Sequence, residues 1–263
     1  MARQTPEEPM ARSVVPSLKA HADNGSVDVS GHVALVPGEP PFSARFDDHY
    51  FSRHDGLAES RHVFLAGNHL SQRWANMDHD AVFHLAELGF GTGLNCLAAW
   101  KLWRQVRPQN ARLMITSFEG FPVSAFEAQS VHAVWPDLAE LSQPLIDRWD
   151  RLQDGVSLDQ QTQLQVRFGA VSDTVTRLKT PQDAWFLDGF SPAKNPEMWS
   201  ADLMQDVARA TAASGTFASY TAAGWVRRNL EKAGFSVQKV PGFGTKREMI
   251  SGRVCPSDGG VEA

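Results

Sequence analysis

The seven residues Glu87-Leu88-Gly89-Phe90-Gly91-Thr92-Gly93 carry the strongest chemical signal in this chain. Glycines at alternate positions let a backbone take dihedrals closed to other residues and approach a ligand closely. Val82 to Leu88 is a short apolar run of the kind that makes a buried strand. After the glycines, Leu94, Leu97, Ala98 and Leu102 repeat at helical spacing. Such a strand-loop-helix turn can hold a nucleotide-like ligand; alone, it is as readily a tight turn that binds nothing. It is not a dinucleotide fingerprint, because Leu94 stands where that pattern wants a glycine.

Two further acids fall where such a ligand would lie. Glu119 closes the run Leu113–Glu119, read as the second strand. Ligands of open α/β sheets bind beyond the carboxyl ends of the strands, and an acid there accepts hydrogen bonds from both hydroxyls of a ribose. Its bland alternative is a solvated loop acid. Glu87 has two readings: it sets the loop by bonding backbone amides, or it helps hold the methionine end of an adenosyl cofactor. Asp188 ends a fourth apolar run and is followed by Gly189, Phe190, Ser191 and Pro192. The arrangement resembles several amine methyltransferases, which place a carboxylate or amide, then Pro and an aromatic, at this point; the resemblance implies methyl transfer from a sulfonium, an in-line displacement in which the acceptor amine must be neutral and aim its lone pair at the methyl. A carboxylate orients the N–H bonds and takes the released proton. Phe190 is placed to stack on a base or shield the sulfonium; otherwise it is a core aromatic and Asp188 a turn cap. The expected catalytic residues are Asp188 and Phe190. The expected cofactor contacts are Glu87, Gly89, Gly91, Thr92, Gly93, Asn95, Glu119 and Asp188.

The elements that would position these groups follow a regular pattern from residue 82. Strands are expected at 82–88, 113–119, 164–168, 184–188 and 215–220, with helix and loop over 124–162 and a helix from Asn195-Pro196 to about Ala213. Thr221 is expected to cap the next helix and Gly234 to end it, before an antiparallel pair at 235–240 and 246–252. This alternation means an α/β, doubly wound sheet, mostly parallel. A closing hairpin is a mark of class I methyltransferases rather than of dinucleotide dehydrogenases. Ahead of it, residues 1–30 read as a loose arm and 31–80 as an extension, with a hairpin within His32–Phe51 and a helix in 52–80. The catalytic domain is expected over 81–254, followed by a tail, 255–263.

Bulk properties narrow the classes. The chain has 263 residues and 42% hydrophobic side chains, enough for a sizeable core. A net charge of −5 rules out gripping nucleic acid by bulk charge. A local basic face remains open, since Thr221–Ile250 holds six basic side chains (Arg227, Arg228, Lys232, Lys239, Lys246, Arg247) against two acids. The alternative is an ordinary solvated face. Two cysteines, Cys96 and Cys255, have no metal-ligand spacing and suit a reducing cytoplasm. The first residues lack the apolar core of a signal peptide, no run is long enough for a membrane helix, and no histidine pair has metal-ligand helical spacing joined to an acid.

Longer stretches carry a resemblance. FDDHYFSRHDGLAESRHVFLAGN (46–68), ELGFGTGLN (87–95), SFEGFP (117–122), DAWFLDGFSPAKNPEMW (183–199), AGWVRRNLEKAGF (223–235) and GFGTKREM (242–249) resemble the methyltransferase domain of the bifunctional tRNA 5-(methylaminomethyl)-2-thiouridine biosynthesis family. The resemblance implies S-adenosyl-L-methionine as cofactor and N-methylation of 5-aminomethyl-2-thiouridine at the tRNA wobble position, with Asp188 nearest the amine. It implies tRNA contacts through Lys194, Arg227, Arg228, Lys246 and Arg247, and a partner tRNA whose anticodon loop gives up a single-stranded base. The family commonly adds a flavin-dependent oxidase domain beyond the point where this sequence ends, so a separate oxidoreductase is the expected source of the aminomethyl substrate. Two positions depart from the family pattern: Gly120, where Lys is usual, and Ala170, where an Asp that holds adenine is usual, with Asp173 as a nearby substitute. The competing readings are a methyltransferase or aminopropyl transferase of a small amine, and a catalytically silent RNA-binding subunit.

Overall fold

The computed structural model describes residues 33–34, 40–51 and 55–255. The arm read over 1–30 and nearly all of the tail lie outside them. Three two-residue strands, β1 (Val33–Ala34), β2 (Phe42–Ser43) and β3 (Asp48–His49), form a small antiparallel sheet. Helix α1 (Gly56–Ser60) starts at Asp55, whose carboxylate accepts the Ala58 N–H, and runs on through a π-helical turn, Arg61–Ala66. Helix α2 (Leu70–Ala75) follows.

The main body then alternates. In chain order come β4 (Val82–Leu88), α3 (Leu94–Val106), β5 (Arg112–Glu119), α4 (Ala125–His132), α5 (Ala139–Ile146), β6 (Val156–Asp159), β7 (Thr162–Phe168), α6 (Val171–Val175) and β8 (Gln182–Leu187). Then α7 (Ala201–Arg209), β9 (Thr211–Ser219), α8 (Gly224–Lys232), β10 (Phe235–Pro241) and β11 (Glu248–Val254) complete the domain. One eight-stranded sheet has the order β10-β11-β9-β8-β4-β5-β7-β6. Its centre, β9-β8-β4-β5-β7, is parallel, while β11 is antiparallel to both neighbours and β6 is an antiparallel edge. From β4 the chain steps outward to β5 and β7, then returns to the other side at β8. The crevice between β4 and β8 is therefore a topological switch point, where open sheets hold ligands.

Each face of the sheet buries its own core. Trp74 of α2 and Trp103 of α3 meet edge to face at 5.4 Å on one side, with the π-turn residues Val63, Phe64 and Leu65. Leu203, Met204, Val207, Val226 and Leu230 of α7 and α8 cover the other. Polar ties lock α1 and α2 to the sheet. Buried Asn68 donates to the carbonyls of Phe64 and Trp185 and accepts from the Thr216 hydroxyl; Arg73 reaches Thr216 and the Asp183 carbonyl.

Several expectations need correction. The 124–162 stretch contains a strand, β6, because Val156 and Leu158 alternate with outward residues and an Asp159 turn returns the chain onto β7. The helix expected from Asn195 to Ala213 is broken: a 3₁₀ turn, Pro196–Trp199, stops at extended Ser200, whose hydroxyl then caps α7 by accepting from Leu203. That helix ends at Arg209, and β9 starts at Thr211 because the ladder with β8 opens at Gln182↔Thr211. Thr221 does not cap α8, which begins after Ala223; its hydroxyl accepts from the Ala223 N–H instead. Among the described residues, Cys96 is buried and Cys255 exposed, both free, and no helix is long and apolar enough to cross a membrane.

Candidate active site

The glycine loop leaves β4 with Gly89, Gly91 and Gly93 at φ of 81°, 53° and 77°. A side chain on Gly89 would press to 3.2 Å from the Gly189 backbone, so the loop rests directly on the turn after β8. One bond fixes its other side, the Gly91 N–H donating to Glu119 Oε2 at 2.8 Å, while the Phe121 N–H donates to Glu119 Oε1 at 2.6 Å and holds the turn after β5. Each carboxylate oxygen keeps an acceptor position toward the cavity that Glu119 lines. Burial pushes the Glu119 carboxyl up, against these backbone bonds.

His132 supports the loop from beneath. Its Nε2 lies 2.7 Å from the Thr92 carbonyl and its Nδ1 2.7 Å from Ser142 Oγ. A carbonyl only accepts, so Nε2 carries the proton and Nδ1 accepts from the serine. Burial lowers its pKa and keeps the ring neutral. Sequence reasoning missed this residue, because its partners stand 10 and 40 residues away and no spacing marks it.

Asp188 sits one residue past β8. Its Oδ2 accepts from Asn95 Nδ2 at 2.7 Å and its Oδ1 from the Gly189 N–H at 2.8 Å. Burial pushes its pKa up to about 7, with those two bonds pulling the other way. Below it, Glu87 is 1% exposed and outside the cavity. Its Oε2 accepts from Ser117 Oγ at 2.7 Å and its Oε1 has no partner among the described residues. Burial pushes Glu87 up to about 8, against the hydrogen bond from Ser117. Neither sequence reading of Glu87 survives: it binds no backbone amide and does not reach the cavity wall.

Asp188 and the loop open onto a cavity of about 810 Å³. The segments before β4 furnish much of its wall. Phe46 stacks on Phe190 with ring centroids 4.4 Å apart, and Tyr50 and Phe121 add edges at 5.2 Å. The Ser191 N–H is held by Asp48, and the Tyr220 hydroxyl donates to the Gly189 carbonyl at 2.9 Å. Lys246 Nζ lies 2.9 Å from Glu59 Oε1 and 4.1 Å from the Tyr220 ring centroid. Phe46, Tyr50, Glu59 and Tyr220 are site residues that sequence reasoning did not select, although three of them lie in the resembling stretch 46–68.

Of the expected residues, Gly89, Gly91, Thr92, Asn95, Glu119, Asp188, Phe190 and Lys246 line this one cavity. Gly93 instead opens α3, packed where a side chain would meet the Phe90 ring at 3.0 Å. Lys194 pairs with Asp47, Arg227 with Glu231 at 3.5 Å, and Arg228 and Arg247 are exposed; none of the four lines the cavity. Gly169, Ala170, Val171 and Ser172 form the wall near the tip of β7, whereas Asp173 stays outside it and accepts from the Ser172 hydroxyl. Asp173 is thus not the substitute for the missing acid at Ala170. Among the described residues no cluster of His, Cys, Asp and Glu has the form of a metal site.

An adenosyl sulfonium cofactor fits these groups. The loop has the clearance that glycines give, Glu119 offers two acceptors at the strand end, and the wall is rich in carboxylates that suit a cation. Comparison with known proteins agrees. Residues 136–254 match a family described as S-adenosyl-L-methionine-dependent methyltransferase. The fold matches the crystal structure of MnmC2 from Aquifex aeolicus, with TM-score 0.69 and 23% identity, covering 84% of this chain and 69% of that one. The chain is an S-adenosyl-L-methionine-dependent methyltransferase of the class I α/β type.

Within that class it is related to the tRNA 5-methylaminomethyl-2-thiouridine biosynthesis bifunctional proteins MnmC. It is 45% identical to that of Pseudomonas paraeruginosa over 216 residues, 81% of this chain and 33% of the relative. It is 40% identical to that of Chromohalobacter salexigens over 252 residues, 95% of this chain and 34% of the relative. The chain spans about a third of the length of these curated relatives.

Proposed function

We propose that the chain methylates the exocyclic amine of 5-aminomethyl-2-thiouridine at the wobble position of tRNA, giving the 5-methylaminomethyl product. The observation that carries this reading is Asp188, a carboxylate with a pKa of about 7 at the wall of an aromatic cavity beside the glycine loop. The names of the relatives supply the substrate class.

S-adenosyl-L-methionine supplies an electrophilic methyl on a sulfonium. Glu119 would take the two ribose hydroxyls, Gly89, Gly91, Thr92 and Asn95 would hold the cofactor along the loop, and Glu87 acts as an uncharged support. The acceptor arrives largely as an ammonium. Asp188 accepts one of its protons and holds the remaining N–H bonds, which points the nitrogen lone pair at the methyl. Holding two reactants in line is worth roughly 7–11 kcal/mol in favourable cases. Below about pH 7 Asp188 is itself protonated and cannot take the proton, so turnover rises as pH increases through that value. Phe190 and Phe46 offer a face on which the flipped uracil stacks. Exposed Arg228 and Arg247, with Lys194 and Arg227, contact phosphates of the anticodon arm, which position the RNA without reading it. An oxidoreductase supplies the aminomethyl group, and the work is done in the cytoplasm.

The test is methyl transfer from labelled S-adenosyl-L-methionine to tRNA bearing the unmethylated aminomethyl wobble base, beside fully modified tRNA. Label entering only the first supports the reading. Cofactor binding without label in either tRNA would overturn it and move the substrate to a small amine.

A further inference from the structure

Phe46, Phe121 and Phe190 line the cavity and join into one aromatic rail. Phe46 stacks on Phe190 and meets Phe121 edge to face at 5.2 Å. Arg45 is exposed, does not line the cavity itself, and ends that rail at the mouth. Its guanidinium carbon lies 4.0 Å from the Phe121 ring centroid and 6.0 Å from that of Phe46. Phe121 is itself held, since its N–H donates to Glu119. A guanidinium that lies on a ring spends its face, while its N–H donors lie in its plane and stay available. The acids nearest in sequence do not claim them. Asp47 pairs with Lys194, and Asp48 accepts from the N–H groups of His49 and Ser191. Among the described residues Arg45 has neither a hydrogen bond nor an ion pair. Lys246, in the cavity wall, is by contrast set against Glu59.

A planar fork of donors takes a phosphate through two parallel hydrogen bonds. Holding that fork on a ring beforehand lowers the entropy lost on binding. The phosphate of a nucleotide hangs one sugar away from its base, so a base on the Phe46–Phe190 stack carries its backbone toward the mouth. We propose that Arg45 is a binding residue for the RNA: it clasps a backbone phosphate flanking the nucleotide whose base enters the cavity, and so sets how deep that base sits. This inference rests on the proposed function and names a contact within it. On that reading Arg228 and Arg247 position the anticodon arm, and Arg45 positions one nucleotide.

The test pairs the full chain with an anticodon stem-loop bearing the aminomethyl wobble base. The RNA has either native linkages or one neutral methylphosphonate, on the 5′ or the 3′ side of that base. Binding is read over a salt series. Arg45→Ala should weaken the native RNA about 10-fold or more, as loss of a charge-assisted bond does, and should reduce the salt slope by about one. Arg45→Lys should keep the slope and recover only part of the affinity, because an ammonium does not fork. Arg112→Ala is the control for bulk charge: it is exposed at the start of β5, the end of that strand away from Glu119, and should do far less. One of the two neutral linkages should weaken the wild type about as much as Arg45→Ala does, and should add little in that variant. Equal losses in R45A and R112A, full recovery in R45K, or neutral linkages that weaken R45A as much as wild type would overturn the proposal. Methyl transfer to aminomethyl tRNA is followed in parallel. Label from the wild type without the linkage effect removes Arg45 alone. No label from the wild type removes the functional reading, and this inference with it.

Discussion

The two halves of the cavity are built differently. The half that suits the cofactor comes from three neighbouring pieces of chain: the loop after β4, the start of α3 and the end of β5. Its bonds are mostly to backbone, as at Gly91 and Phe121. The acceptor half draws on Phe46, Tyr50, Glu59, Asp188, Tyr220 and Lys246, scattered over some 200 residues and joined by side chains. A ligand shared by many enzymes is held by geometry that the fold itself provides at its switch point. On the proposed function, the substrate would be held by side chains brought together from distant parts of the chain. Mutations should therefore separate the halves.

The largest separation is expected at Asp188, the one carboxylate that touches both halves. Asp188→Asn retains shape and can still bond Asn95, but it cannot accept a proton. Turnover should fall by about 10²–10⁴-fold, as loss of a general base does, with cofactor affinity within a few-fold of wild type. Equal turnover in single-turnover assays would remove Asp188 from the proton path and leave alignment alone to explain catalysis.

Glu87 tests the support beneath the boundary. A carboxyl with a folded pKa of about 8, against 4.5 when unperturbed, holds more protons folded than unfolded between those values. Stability therefore declines as pH rises from about 4.5 to about 8. Glu87→Gln removes that dependence and should stabilise the protein by about 3 kcal/mol at pH 8 relative to pH 5, less whatever solvent reaches the site. Thermal unfolding across that range checks it. The same pH dependence in wild type and Glu87→Gln from pH 5 to 8 would show that Glu87 is ionised in the fold.

The same contrast decides what was legible in the sequence. β4, its loop and β5 could be read because burial, glycine spacing and a terminal acid all fall within one short stretch. Asp188 was readable for the same reason: it ends an apolar run and a turn follows. Glu59 carries no such mark. It is one acid in a polar helix, and only folding brings Lys246 to it. His132 was hidden likewise, since its role lies in two hydrogen bonds to distant partners. Lys246 was singled out, but its partners were not legible, because only folding brings Tyr220 and Glu59 beside it. Strand β6 was missed because four residues alternate too briefly to stand out between helices.

A paired substitution sharpens the comparison with the smallest expected effects. Glu119→Ala removes the acceptors expected for the ribose, the bond that fixes the glycine loop and the bond that holds the turn after β5. Cofactor affinity should fall roughly 10-fold or more, since a hydrogen bond to a charged group contributes about 1.5–3 kcal/mol. Phe46→Ala strips the ring that stacks on Phe190. Affinity for the RNA substrate should fall by about 10-fold, in line with about 1–3 kcal/mol for one base stacked on an aromatic side chain. Each variant should weaken the other ligand less than its own, and any effect on the other ligand should run through Phe121, whose N–H bonds Glu119 and whose ring packs on Phe46. Calorimetry with S-adenosyl-L-methionine and filter binding with tRNA read the four affinities. A crossed pattern supports two separable halves. If Phe46→Ala weakens the cofactor as much as the RNA, the aromatic stack belongs to the cofactor wall, and the acceptor must be sought between Glu59 and Tyr220 alone.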